Sequence, residues 1–67
     1  MEKSKIDALA QEWVDGKEDN LKAEIPTLKP SEAIMIQMRI MRLLAARSPL
    51  NFESAELFYQ ALVAEGR

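Results

Sequence analysis

The chain has 67 residues, a net charge of −2, no cysteine and no histidine. That length holds one domain at most. The missing side chains exclude zinc fingers, thiol or imidazole catalysis, haem ligation by those groups and any disulfide framework. With 48% apolar and 30% charged residues, the composition is that of a globular chain rather than a disordered one.

A domain of this size buries only about 60% of the surface its unfolded chain exposes. With disulfides and Cys/His metal sites ruled out, self-association is the remaining source of extra burial. The N-terminus (Met1, Glu2, Lys3, Ser4, Lys5) is charged and leads into an amphipathic pattern, so no signal peptide is read there. The longest apolar runs, Ala33 to Ile36 and Leu43 to Ala46, fall far short of the ~20 residues a membrane span needs. No membrane association is expected, and a cytoplasmic location is.

The first predicted helix runs from about residue 5 to 15. Ile6, Leu9, Ala10, Trp13 and Val14 fall on one stripe, with Trp13 as the main core anchor. Ser4 is the expected N-cap, and Gly16 the residue that stops the helix. Residues 17–29 are ambiguous. A short helical turn over about 19–24 fits the spacing, with Pro26 ending it. Leu21, Ile25 and Leu28 are the side chains expected to tack this segment to the core.

The second main helix is expected from Pro30 to Ala46 or Arg47, with Pro30 at its first position. One broad face collects Ala33, Ile34, Gln37, Met38, Ile40, Met41, Leu44 and Ala45 and is read as core. The other carries Glu32, Met35, Ile36, Arg39, Arg42, Leu43 and Ala46. Met38 and Met41 are read as core filler, with Met35 on the second side. Gln37, within the apolar face, needs a hydrogen-bond partner. A loop backbone group or a symmetry-related copy would provide one. A third helix is expected from about 52 to 65, capped by Asn51, with Phe52, Ala55, Phe58, Tyr59, Leu62 and Val63 sharing a face. The fold expected is an all-α, small three-helix bundle, orthogonal or up-down, with the second helix central and the turn at about 19–24 as an optional fourth.

On the second side of the central helix, Glu32, Ile36, Arg39, Leu43 and Ala46 alternate by four and three residues, the spacing of a coiled-coil seam. Two readings fit. In one, this is a docking strip in which Met35, Ile36 and Leu43 meet a protein partner or a second copy while Arg39 and Arg42 pair with carboxylates. In the other, the flanking helices bury both sides.

Charge is uneven along the chain. Residues 1–29 carry five Lys against seven acids, residues 30–49 carry three Arg against Glu32, and residues 50–67 carry three Glu against Arg67. A nucleic-acid-binding regulator using Arg39, Arg42 and Arg47 is therefore the alternative function, weakened by the acidic last helix. Asp15, Glu18 and Asp19 lack the pattern of a calcium loop. Two glycines do not make a phosphate loop, and the serines sit near helix starts or turns without a histidine base. No catalytic residue, cofactor, metal or small-molecule substrate is expected. The expected function is a non-enzymatic interaction module that self-associates.

Overall fold

The computed structural model describes residues 1–47 and 52–66. Among them all regular structure is helical: α1 (Lys3–Val14), α2 (Asp19–Glu24), a 3-10 turn (Ile25–Thr27), α3 (Pro30–Arg47) and α4 (Glu53–Ala64). The ambiguous segment is thus a true short helix, and the optional fourth helix over about 19–24 is present as α2.

Local chemistry sets the ends. The carbonyl of Glu2 accepts from the N–H groups of Lys5 and Ile6, both at 3.1 Å, so α1 starts ahead of Ser4. Ser4 therefore lies inside the first turn and does not cap it. At the other end Gly16 takes φ +88°, a conformation that costs glycine little. There Gly16 N–H reaches Trp13 O at 3.1 Å and Lys17 N–H reaches Glu12 O at 2.8 Å, which is a Schellman ending. Pro26 shifts the chain into the 3-10 turn, in whose first positions its missing N–H costs nothing. Pro30 opens α3, and Glu32 accepts the Lys29 N–H at 3.0 Å in the manner of a capping box. The expected Asn51 cap lies outside the described residues. Phe52 occupies the N-cap of α4 without a side-chain bond.

Cross-links between helices give their directions. Arg39 Nε lies 3.3 Å from Asp7 Oδ1, and Arg47 Nη2 lies 2.7 Å from Asp15 Oδ1. The Met1 amino group lies 2.8 Å from Glu32 Oε2. Sequence position advances together on both partners, so α1 and α3 run side by side in the same direction. The return between them is made by α2, antiparallel to α1, with Asn20 donating to Glu12 at 3.1 Å and Lys5 to Glu24 at 3.2 Å. Then α4 runs back along α3, where Gln37 Nε2 donates to Ala55 O at 3.1 Å.

One apolar cluster fills the space between these elements. It takes Ile6, Leu9, Ala10 and Trp13 from α1 and Ala55, Phe58 and Leu62 from α4. Leu21, Ile25 and Leu28, the three expected tacks, are all buried in it. The ring of Trp13 meets Phe58 edge to face, with centroids 5.6 Å apart and planes at 73°.

The contribution of α3 corrects the sequence reading. Its buried residues are Ala33, Ile36, Ile40 and Leu44, with Leu43 partly buried against them. Ile34, Met38, Met41 and Ala45, assigned to the core, face solvent instead. Likewise Tyr59 and Val63 of α4 and its N-cap residue Phe52 are exposed. The physical reason is that α3 packs between α1 and α4. The sector that meets both is centred on Ile36 and Ile40. The equally apolar stripe through Ile34 and Met38 lies outside it.

Candidate functional site

The five residues proposed from sequence as an interface do not act together. Ile36 has no exposed surface and is core. Leu43 is half-buried against the same cluster. Arg39 lies between α1 and α3, ion-paired to Asp7. That contact is one of proximity, since its Nε has no aligned hydrogen-bond acceptor. Only Met35 and Arg42 are exposed, so a strip anchored on Ile36 and Leu43 is not available on the surface. The flanking helices bury Ile36 and most of Leu43, but they do not bury both sides of α3, since Met35, Arg42 and the stripe through Ile34 and Met38 stay exposed.

A different surface is left open. Turning outward from α3 are Ile34 and Met38, each 60% exposed, with Met35 and Met41 close to half exposed. Ile34, Met38, Met41 and Ala45 follow one another at intervals of four, three and four residues, again the spacing of a helix seam. The only acid of α3, Glu32, is engaged by the Met1 amino group and the Lys29 N–H. These two donors, the ammonium first, hold its carboxyl below the usual glutamate range. The outward face of α3 therefore combines large, adaptable apolar side chains with one exposed cation, Arg42.

Beside this face, α3 and α4 leave a groove. One hollow of about 350 Å³ is lined by Pro30, Ala33, Ile34, Gln37, Met38, Tyr59 and Leu62. A second of about 350 Å³ shares Gln37 and Tyr59 and continues to Met41, Phe52, Ala55, Glu56 and Gln60. Gln37 forms part of the wall of both. Its Nε2 is satisfied by Ala55 O, but its Oε1 is buried without a partner. Neither a loop carbonyl nor a second copy was needed for the donor; the backbone of α4 supplies the acceptor. On the opposite flank, α1 and α3 enclose a hollow of about 190 Å³ lined by Lys3, Ile6, Asp7, Met35, Met38, Arg39 and Arg42.

The sequence signal for this face was present in the Ile34, Met38, Met41, Ala45 spacing. Apolarity alone does not say which of two stripes is covered, so the same spacing also fits a core face.

Two of the three arginines of the nucleic-acid alternative are engaged with carboxylates, Arg39 with Asp7 and Arg47 with Asp15. Among the described residues no group of three or more acidic, His or Cys side chains is placed to hold a metal ion. No helix among them is long and apolar enough to cross a membrane.

No protein-family model, curated protein or solved structure matches this chain. The functional reading therefore rests on the surface itself.

Proposed function

We propose that this chain is a small, non-enzymatic protein-interaction module that associates with a second copy of itself through the outward face of α3. The observation that carries the reading is the exposure of Ile34, Met38 and Met41 in a row, on a helix whose inner face is already filled by Ile36 and Ile40. Contiguous apolar surface of this kind on a small domain marks an interaction site. Tyr59 and the hollows it lines extend the face towards α4 and give a partner side chain somewhere to seat. A standard interface buries roughly 800 Å² per partner, less than a fifth of the 4495 Å² accessible surface. The remaining surface stays free for other contacts.

Amide chemical shifts compared between dilute and concentrated samples test this. Residues 34, 38, 41 and 59 are expected to move with concentration while 21, 25 and 28, the buried positions of α2, its 3-10 turn and the residue after it, stay fixed. Shifts confined to α2 or to the outer face of α1 would contradict it.

A further inference from the structure

Resting on that self-association, we infer that the two copies meet with their α3 helices parallel, so that Arg42 of each lies against Glu56 of the other. The argument is one of charge placement on either side of the seam. The α1 flank of the face is basic, since Lys3, Arg39 and Arg42 line it with a single carboxylate, Asp7, already paired to Arg39. The α4 flank carries Glu56 as the charged side chain lining its hollows. Among the described residues neither Arg42 nor Glu56 has an ion-pair partner within its own chain.

The two stand at the same height along α3. Glu56 shares a hollow with Met41, and Arg42 is the next residue of the helix, only about 1.5 Å further along its axis.

Symmetry then separates the two ways of pairing the seam. When the helices are parallel, the two-fold axis runs along them and exchanges left for right. The basic flank of one copy faces the acidic flank of the other. When they are antiparallel, the axis crosses the helices within the interface and preserves left and right. Arg42 then lies on the side of its own counterpart, and Glu56 likewise. Isologous contact of like with like leaves these charges unpaired and mutually repelling. The apolar stripe tolerates either direction, so the flanking charges decide it, much as charges beside a coiled-coil seam set helix orientation.

The absence of native cysteine allows a direct test. Ile34→Cys and Met41→Cys are made separately in the full chain and oxidised under mild conditions. In a parallel pair both positions meet their own counterparts, and both variants form disulfide-linked dimers. The positions are seven residues, about 10 Å, apart on the helix. An antiparallel pair brings at most one of them to its own copy within disulfide reach.

Charge reversal supplies the second arm. Arg42→Glu and Glu56→Arg each weaken association roughly threefold to tenfold, and the double variant recovers it. Cross-linking at one position only, or weakening that the double variant does not recover, overturns the parallel arrangement and leaves self-association standing. No dimer by either measure, with the unmodified chain also monomeric, removes both.

Discussion

Arg47 lies 2.7 Å from Asp15, and about two helical turns earlier Arg39 lies 3.3 Å from Asp7. Each pair spans the same 32 residues of chain, so the two contacts fix α1 and α3 in a single parallel register. Asp15 is the C-cap of α1 and also accepts from Gln11 at 3.1 Å. The parallel run places the exposed stripe of α3 beside a basic flank, and α4 returns to supply the acidic one.

The Asp15 contact makes stability depend on acid. The hydrogen bond from Arg47, then that from Gln11, holds the Asp15 carboxyl below its ordinary range. A folded pKa below the unfolded one contributes stability that is complete above the unfolded value and lost as pH falls through the folded value. Glu32 acts in the same direction. Melting temperature is expected to hold from neutral pH to about 5 and fall at and below about 4. Asp15→Asn lowers the melting temperature at neutral pH and flattens the acid limb. Circular dichroism melts of both chains across that range check it, and identical acid limbs would contradict it.

Trp13 joins the first helix to the last. Its indole N–H donates to Ser54 O at 2.8 Å while its ring sits edge-on to Phe58. Trp13→Phe keeps most of the apolar volume but loses that bond, at an expected cost of about 1–3 kcal/mol. Trp13→Ala adds a cavity and costs about 3–5 kcal/mol, enough to unfold a small domain. Urea titration followed by far-ultraviolet circular dichroism measures both, since the chain has one tryptophan and the variants lose its fluorescence. Equal costs for Phe and Ala would show that the ring's volume contributes nothing.

Gln37 carries a buried, unpaired Oε1 beside the satisfied Nε2. An unpaired buried acceptor costs about 1–3 kcal/mol, comparable to or above the net worth of the single bond the amide makes. Gln37→Leu is therefore expected to leave stability unchanged or raise it. Gln37→Glu places a carboxylate against the Ala55 carbonyl and is expected to destabilise. A urea midpoint that falls sharply for Leu would show that the bond to Ala55 outweighs the orphaned oxygen.

Ile36 and Met38 differ by two positions and separate the two faces of α3. Ile36→Ala, in a fully buried position, is expected to cost about 2–5 kcal/mol. Met38→Glu, on an exposed position, is expected to retain the helical spectrum and abolish association. Paired thermal melts and sedimentation runs on the two variants read both effects. A Met38→Glu chain that unfolds would return the outer stripe to the core.

Much of this architecture was legible from residue order. Pro30 with Glu32 behind it marks the start of α3, and Gly16 marks the end of α1, because both signals act within a few residues. The burial of Leu21, Ile25 and Leu28 followed from the same logic. On α3 the face read as core holds Ala33, Ile40 and Leu44, which are buried, but which edge of that broad face turns inward did not follow. Ile36 and Ile40 lie on one side, Ile34, Met38 and Met41 on another, and a period of 3.6 locates stripes without ranking them. The ranking comes from long-range contacts, Arg39 with Asp7 and Gln37 with Ala55, which no local pattern contains. For the same reason the sequence-based interface, centred on Ile36, fell on the covered side.

The most direct test of self-association through α3 is molar mass by light scattering across a dilution series of the unmodified chain, with Met38→Glu run alongside. The expected result is a mass approaching twice the 7.6 kDa of the chain at high concentration. It falls to the monomer value on dilution, and Met38→Glu stays monomeric throughout. A mass of 7.6 kDa for the unmodified chain at every concentration, or a dimer that survives Met38→Glu intact, would contradict the account.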